Sequence, residues 1–542
     1  MAISSTTSLP EQDVIIVGAG FGGCYALHSL REQGYSAKIL DACADFGGVW
    51  HINRYPGARV DSETPTYQFS TPAVRDEFDF SEKYPSSTEM RRYFLHMADK
   101  LDLRKDTLFN QQVIDTRYDD EKKKWVFKTE QGLAVQSRFA VFATGSSNKA
   151  FIPEFKNKAA FKGQIIHPKA WPDNADFTGK RVGIIGQGAS GIQIVQELAK
   201  TDCELTVFVR TPPHCLPMGQ RRIPVEDSER EKSYLDSVFQ YAKYSSATGY
   251  HCNAGPGPLY KDHTPEQRRA LWETLWQRKG FLFLSGLNYA DMPSNEEANR
   301  AAFRFLAEKN RARMTDQAKM DIIAPLDLDV FLYTLRPTLE QDYYEMMDRP
   351  NVRLVSLKSS PIAKFAETGI VTDDGNQQTL HELDVIVSAT GYDAVTGALH
   401  DMNIRDRHGM LLQDKWRDGI FSYLGMLVPG MPNAFVLYGP QAPTSLANGP
   451  PFLELQAEFL VRLLARAAAD GRAEIETTDA AAQDWRVRTR EVWERLLARH
   501  CQSWWVGANV PGKTREPQIW FGGLEAWRRA CDDALKDWAN FV

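Results

Sequence analysis

One local pattern occurs twice in this chain and limits the folds that are open to it. An apolar run is followed by closely spaced glycines and then by apolar residues at helical spacing, first at residues 14–30 and again from residue 182. A buried parallel strand that turns through glycines into a helix is the start of a dinucleotide-binding βαβ unit. The sequence therefore predicts an α/β fold with two Rossmann-like dinucleotide-binding domains.

The first unit has the residues expected around a dinucleotide without a 2′-phosphate. Gly18 allows the tight turn, Gly20 lets the backbone approach a pyrophosphate, and Gly23 lets helix and strand pack closely. A second apolar run, 37–40, ends in Asp41, about 20 residues beyond the turn, where a carboxylate accepts the ribose hydroxyls. An acid at this position favours FAD or NAD and disfavours NADP.

The second unit differs at the end of its second strand, where the acid is replaced by a base. The residues predicted to bind its nucleotide are Gly186, Gln187, Gly188, Ser190, Gly191, Arg210 and Thr211. A guanidinium at the position of Arg210 can bind a 2′-phosphate bidentately, so we expect NADPH here. The alternative is that Arg210 merely faces solvent.

Composition narrows the class of protein. At 542 residues the chain is long enough for two or three domains, and its net charge of −6 argues against a nucleic-acid partner. Its 7 cysteines are scattered without CxxC spacing, which predicts neither a redox dithiol nor a metal site and excludes a disulfide reductase. No signal-peptide core or membrane-spanning run is present, so we expect a cytoplasmic protein without a membrane partner.

A stretch just before the second unit carries a resemblance to a known family. Phe161, Gly163, His167, Trp171 and Pro172 fill every position of the pattern FxGxxxHxxxWP. This pattern resembles the fingerprint of type I Baeyer–Villiger monooxygenases, and the likeness extends from about residue 13 to about residue 523. In that family the fingerprint is a linker that couples domain movement, so His167 is not expected to act as a general base.

The resemblance implies an activity and cofactors. Family members are FAD-containing, NADPH-dependent enzymes that form a C4a-peroxyflavin and insert one atom of O2 next to a ketone carbonyl, giving an ester or lactone. The expected partners are a small ketone and O2, and we expect a monomer or loose dimer. A flavin monooxygenase that oxygenates nitrogen or sulfur is the main alternative, although such relatives usually lack the tryptophan at position 171. A dinucleotide-sensing protein without activity is a further alternative.

The resemblance also implies site residues, transferred position by position. The flavin-contacting segment of the family is similar to two patterns found here, GGxW and the NRYPGxxxD that follows it. Together with the later positions Tyr67 and Val113, this similarity implies FAD contacts from Gly48, Val49, Trp50, Asp61, Tyr67 and Val113. Arg336 matches the catalytic arginine, which also contacts NADPH and is held by Asp61. Leu335 departs from the lysine that the family often has there. Trp504 matches a residue of the mobile loop over NADP, and the substrate-pocket loop supplies Thr444, Ser445, Leu446 and Gly449.

The order of these segments predicts the domain organisation. Residues 1–145 and 390–542 are assigned to an FAD-binding domain, and residues 146–223 and 330–389 to an NADP-binding domain. Residues 224–329 are rich in Glu, Arg, Lys and Trp at helical spacing and are interpreted as a helical insertion in the NADP domain, with tryptophans that serve packing.

Overall fold

The computed structural model of the chain describes residues 11–251, 256–327 and 330–542, so that Cys252 lies outside the described residues. The strands are β1 Gln12–Val17, β2 Ala37–Leu40, β3 Thr107–Leu108, β4 Val113–Asp119, β5 Lys124–Thr129, β6 Ala134–Phe142, β7 Gln164–Ile166, β8 Arg181–Ile185, β9 Glu204–Val209, β10 Cys215–Pro217, β11 Thr338–Glu340, β12 Val352–Ser356, β13 Ile362–Ala366, β14 Gly369–Asp373, β15 Gln378–Glu382, β16 Val385–Ser388, β17 Ile404–Arg405 and β18 Ala434–Val436. The α-helices are α1 Phe21–Glu32, α2 Val49–Ile52, α3 Pro72–Arg75, α4 Ser87–Lys100, α5 Ala189–Leu198, α6 Val225–Lys232, α7 Leu235–Tyr244, α8 Pro265–Arg278, α9 Glu296–Arg311, α10 Gln317–Ile323, α11 Tyr343–Met347, α12 Gly397–His400, α13 Leu412–Lys415, α14 Gly449–Ala469, α15 Asp479–Glu494 and α16 Gly523–Ala534.

The larger sheet runs in the order β17-β4-β5-β6-β1-β2-β3, with β18 beside β6. Its centre is parallel: β1 pairs with β2 and β6, and β6 with β18. Val14, Ile15 and Ile16 of β1 are fully buried because the core packs on both faces of the sheet, which explains the unbroken apolar run. The antiparallel hairpins of β4, β5 and β6 extend this sheet, and the sequence analysis did not predict them.

The smaller sheet is parallel throughout, in the order β12-β9-β8-β16-β7. Its core includes residues of α5 and α11. Strands β13, β14 and β15 form a separate antiparallel sheet nearby. In each sheet a central parallel strand leads through a glycine turn into a helix: β1 into α1 and β8 into α5. This arrangement confirms the predicted α/β class with two Rossmann-like units.

The chain crosses between the two sheets twice. It leaves the larger sheet after β6 and returns after β16, when β17 pairs with β4 and β18 with β6. These crossings lie close to the domain limits predicted at residues 145 and 390, but the domain limits themselves stay a prediction. Across residues 11–251, 256–327 and 330–542, every helix is too short or too polar to cross a bilayer.

The predicted insertion is helical and has a core of its own. Helices α6 to α10 belong to it, and Trp272, Leu275 and Phe305 pack together in a cluster separate from those of the sheets. The Trp272 indole also donates to Asn288 Oδ1 at 3.1 Å, so this tryptophan serves packing. At the base of the insertion β10 pairs in parallel with β11, a short contact that no sequence pattern had indicated.

Candidate functional site

The two glycine turns are built alike. Gly18 and Gly186 have φ values of +110° and +104°, which a residue with a side chain rarely adopts. A Cβ at Gly18 would lie 2.5 Å from the Ala143 carbonyl oxygen, and one at Gly186 would lie 2.3 Å from that of Ala389. Each turn therefore packs against the Ala-Thr-Gly sequence at which the chain leaves its sheet.

Both turns end at helix N-termini that suit an anion. Helices α1 and α5 have no side-chain cap and no acidic residue in the first turn, so their N–H groups and dipoles favour a phosphate. A Cβ added to Gly188 would meet nothing within 4 Å, which leaves open space over the start of α5. These backbone features fit a pyrophosphate at each unit.

Asp41 lies where a ribose-binding acid was predicted. It is buried, and its carboxylate accepts hydrogen bonds from the N–H groups of Ala19 at 2.5 Å and Cys43 at 2.6 Å. Burial raises the pKa of Asp41, while these hydrogen bonds oppose the shift. The carboxylate thus fastens the glycine turn to β2, and its contact with a ribose stays a prediction.

The residues predicted to bind the second nucleotide lie along one end of the smaller sheet. Arg210 follows β9, is exposed and forms no ion pair with any residue that the structure describes, so its guanidinium is available to a phosphate. Ser190 donates to the Tyr55 hydroxyl at 3.0 Å, and Tyr55 donates to Gln193 Oε1 at 3.0 Å. The Tyr55 segment of the first unit is therefore bound directly to α5 of the second.

The residues assigned to the flavin also come together. Trp50 donates its indole N–H to the Tyr67 hydroxyl at 3.2 Å, and the two rings meet edge to face with centroids 5.9 Å apart. Tyr67 also meets Phe21, the first residue of α1, with ring centroids 5.4 Å apart. Val113 is buried at the start of β4, and its contact with FAD stays a prediction.

The Arg336–Asp61 ion pair joins two segments that are 275 residues apart in sequence. Arg336 Nη1 lies 2.6 Å from Asp61 Oδ2 and Nη2 lies 2.9 Å from Oδ1, which is the bidentate geometry of a strong arginine–carboxylate contact. Burial would lower the pKa of Arg336, but the charge and hydrogen bonds of Asp61 outweigh burial and raise it. The arginine is therefore a fixed, permanently charged group.

The helical insertion adds a residue that sequence reasoning missed. The Tyr250 hydroxyl lies 2.8 Å from Ser62 Oγ, immediately after Asp61 in the chain. Asp61 and Tyr250 both line a small cavity of about 80 Å³, whose other lining residues include Thr248, Phe281, Leu282 and Leu284. No spacing rule relates Ser62 to Tyr250, which are 188 residues apart, so their contact could not be found from sequence.

The predicted substrate loop is only partly open. Thr444 is fully buried and donates to the Gly439 carbonyl at 2.8 Å, whereas Leu446 is half-buried. The Ser445 N–H donates to the Tyr438 hydroxyl at 3.1 Å. At Gly449, the first residue of α14, an added Cβ would meet nothing within 4 Å. The pocket-lining roles of these residues stay predictions.

Trp504 and Leu446 pack against one hydrophobic cluster that includes Trp505. The loop with Trp504 is also tied to the segment before Arg336, because the Cys501 thiol donates to the Thr334 carbonyl at 3.0 Å. The structure thus brings the predicted NADP loop beside the substrate loop and bonds it to Thr334, two residues before Arg336.

The fingerprint residues have structural contacts. Both ring nitrogens of His167 are used: Nε2 lies 2.9 Å from the Gly391 carbonyl, and Nδ1 accepts from the Lys169 N–H at 3.1 Å. Burial lowers the pKa of His167, in keeping with a neutral imidazole. Trp171 packs on Phe177 and lines a groove of about 650 Å³ that does not include Arg336. This larger groove is therefore distinct from the candidate site.

Several buried polar atoms around the site have no hydrogen-bond partner among the described residues. They are Ser445 Oγ, Asn448 Oδ1, Trp505 Nε1 and Asn509 Oδ1. Because buried polar atoms are rarely left unpaired in native proteins, these atoms are suited to the polar groups of bound ligands. The glycine turns, the uncapped helix N-termini and the aromatic residues together fit two dinucleotides.

Comparisons with known proteins agree with this geometry. A family model described as "Flavin-binding monooxygenase-like" matches residues 11–217. The chain is 38% identical to the FAD-binding monooxygenase VdtE of Byssochlamys spectabilis, covering 96% of this chain and 92% of VdtE. It is 36% identical to cyclopentanone 1,2-monooxygenase of Comamonas sp., covering 98% of this chain and 95% of that protein. A phenazine N-monooxygenase of Lysobacter antibioticus is 34% identical, with 98% and 96% covered.

Solved structures give the same result. The crystal structure of cyclohexanone monooxygenase from Rhodococcus sp. Phi1 bound to NADP+ matches with a TM-score of 0.93 and 33% identity, covering 99% of both chains. The likeness therefore spans both sheets, the insertion and the C-terminal segment.

Proposed function

We propose, from the premise that this chain belongs to the Baeyer–Villiger monooxygenases within the flavin-binding monooxygenase-like family, that it converts a ketone to an ester or lactone. FAD and NADPH are its cofactors. In the balanced reaction, ketone, O2, NADPH and a proton give the ester or lactone, NADP+ and water. One oxygen atom enters beside the carbonyl carbon and the other leaves as water.

The observation that carries this proposal is the Arg336–Asp61 pair. Bound FAD, once reduced, supplies the chemistry that activates O2. When an oxygen atom is inserted beside the carbonyl carbon, negative charge develops on oxygen. A preorganised cation stabilises such charge more than water does. Arg336 meets this need because its charge is permanent and its planar guanidinium is oriented by two contacts with Asp61.

Other residues bind and orient the cofactors. On the flavin side the glycine turn at Gly18 and the Trp50–Tyr67 pair would hold FAD. On the other side Arg210 binds the 2′-phosphate, and this contact selects NADPH over NADH. Trp504 would cover the nucleotide when it is bound. The Tyr55–Ser190 hydrogen bond supports this arrangement because it fixes the FAD segment against the NADP helix.

The remaining parts of the proposal concern organisation and surroundings. The FAD-binding, NADP-binding and inserted segments have the limits given above, and O2 is the second substrate. The protein acts in the cytoplasm as a monomer or loose dimer. The cysteines resolved in the described ranges are free thiols, which supports a reducing compartment.

Oxygenation of nitrogen or sulfur is the second candidate function. The phenazine N-monooxygenase supports this second candidate, because it is 34% identical and the match covers nearly the whole of both chains. The complete fingerprint with Trp171 and the clamped arginine favour ketone chemistry. An amine or sulfide is itself the nucleophile, so its oxygenation would not require a cation that stabilises an oxyanion.

The test separates the two half-reactions. Arg336→Ala should lower ester formation about 10²–10³-fold, the range typical for loss of a preorganised electrostatic contact, while NADPH still reduces FAD. The variant should then consume NADPH and release hydrogen peroxide. Arg336→Lys should restore little activity because an ammonium cannot form the same planar contact with Asp61. Stopped-flow flavin reduction and gas chromatography of the products measure the two halves.

Arg353→Ala is the matched control, since Arg353 is an exposed arginine on β12 with no ion pair to Asp61. Wild-type protein should form esters from some members of a panel of linear, cyclic and aryl ketones. Ester formation by Arg336→Ala at the rate of the control would refute the assignment. Oxygenation of amines or sulfides with no ester from any ketone would favour the second candidate.

A further inference from the structure

We propose that Tyr250 is a positioning residue: its hydrogen bond with Ser62 ties the helical insertion to the loop that carries Asp61 and thereby holds Arg336 in its active orientation. The inference rests on the proposed function. It concerns how the Arg336–Asp61 pair is kept in place, and it assigns a role to a residue of the insertion.

The contact is short and shielded. Tyr250 Oη and Ser62 Oγ are 2.8 Å apart, and Ser62 is only 5% exposed. Burial, followed by the nearby charge of Asp61, raises the pKa of Tyr250, so the hydroxyl stays neutral and can donate at neutral pH. Because Ser62 directly follows Asp61, movement of the Ser62 backbone would also move the carboxylate that clamps Arg336.

The residues that precede Tyr250 in the chain are fixed by hydrogen bonds. The Asn448 N–H donates to the Thr248 carbonyl at 2.7 Å, and its side-chain amide donates to the carbonyls of Gly249 at 3.3 Å and Thr66 at 3.0 Å. The Leu524 N–H donates to the Ala247 carbonyl at 2.7 Å. The three residues before Tyr250 are therefore bound to the start of α14 and to α16.

The helix that leads into this segment is anchored by a buried ion pair. Lys243 of α7 lies 3.0 Å from Glu454 of α14, and their side chains are 7% and 0% exposed. Glu454 also accepts hydrogen bonds from the N–H and hydroxyl of Ser70. Breaking a buried pair is costly, so α7 has a firm attachment to the FAD side of the molecule. The tether from Tyr250 to Ser62 therefore starts from a fixed point.

Tyr250→Phe tests the hydroxyl alone. The Tyr250 ring meets Phe281 edge to face at 6.3 Å, and this packing is retained in phenylalanine. We expect the ratio of ester to NADPH consumed to fall about threefold to tenfold, the range for one net hydrogen bond, with a matching rise in hydrogen peroxide. The rate of flavin reduction by NADPH and the KM for the ketone should not change.

Further variants connect the effect to Ser62. Ser62→Ala should reproduce the loss, and the double variant Tyr250→Phe/Ser62→Ala should be no worse than either single variant, because both remove the same contact. Tyr234→Phe is the matched control: it removes the same hydroxyl from an exposed tyrosine of the insertion. Amide hydrogen exchange of a peptide covering residues 56–64, measured without substrate, should be faster in Tyr250→Phe than in Tyr234→Phe.

Three outcomes would overturn the inference. Additive losses in the double variant would show that the two hydroxyls act separately. A higher KM for the ketone with an unchanged ratio of ester to NADPH would make Tyr250 a substrate contact. Equal product ratios and equal exchange rates in Tyr250→Phe and Tyr234→Phe would show that the hydrogen bond has no effect. Failure of the proposed function would appear differently, as wild-type protein that forms no ester, while the hydrogen-exchange comparison still reports on the tether.

Discussion

Replacing Asp61 by asparagine changes one carboxylate oxygen into an amide nitrogen and leaves Arg336 in place. In the native pair both oxygens accept from the guanidinium, at 2.6 and 2.9 Å. Asparagine has one acceptor oxygen where aspartate has two, and its NH2 group would then face a guanidinium N–H group. The variant therefore loses one charge-assisted hydrogen bond and gains a contact between two donors.

The size of the effect follows from the exposure of the pair. A hydrogen bond to a charged group contributes about 1.5–3 kcal/mol. Because 34% of the Arg336 side chain is exposed, water can replace part of the lost contact, and the lower end of that range applies. About 1.5 kcal/mol corresponds to roughly a tenfold smaller population of correctly oriented arginine. Asp61→Asn should therefore form ester about tenfold more slowly, well above the level of Arg336→Ala.

The assay combines product analysis with stopped-flow flavin reduction in Asp61→Asn, Arg336→Ala and the double variant. Flavin reduction should change little, and the double variant should match Arg336→Ala, because Asp61 acts through the arginine. Two results would refute this reasoning. One is a further loss in the double variant, which would give Asp61 an independent role. The other is a loss in Asp61→Asn as large as that in Arg336→Ala.

Two further predictions concern the coenzyme and the substrate. Arg210→Ala should raise the KM for NADPH about tenfold or more and hardly alter that for NADH, because the exposed guanidinium forms no ion pair with the described part of the chain and is available to the 2′-phosphate; equal effects in steady-state assays with both coenzymes would contradict this role. Gly449→Met should narrow the range of ketones accepted more than it slows the smallest ketone, since a side chain there would enter open space; an unchanged substrate profile in a ketone panel would place Gly449 outside the pocket.

Local patterns predicted the parts of the molecule that depend on neighbouring residues. The glycine turns at Gly18 and Gly186 are set by backbone geometry within a few residues, and both formed as predicted. The family assignment is confirmed by relatives that share more than a third of their residues with this chain. The pairing of Asp61 with Arg336 was predicted only through the family resemblance, because 275 residues separate them.

The features that sequence reasoning missed depend on contacts between distant segments. The Tyr250–Ser62 hydrogen bond and the anchoring role of Asn448 have no local signature, since each requires the insertion to be docked in one particular register. Thr444 also has a contact that the sequence did not indicate: its hydroxyl donates to the Gly439 carbonyl, while the pocket role implied by the resemblance stays a prediction. A motif fixes a position in the chain, whereas packing decides which way the side chain faces.

The segment that forms the smaller sheet lies in sequence between two paired strands of the larger sheet, and this order has a consequence for biosynthesis. Strand β6 ends at residue 142, but its partner β18 begins at residue 434. At a translation rate of about 5–20 residues per second, the ribosome takes roughly 15–60 s to supply that partner. All strands of the smaller sheet lie between residues 164 and 388, so this sheet can close while the larger one still lacks a strand. The nascent chain can therefore complete the smaller sheet first, and the edge of β6 must stay protected from aggregation until β18 has been synthesised.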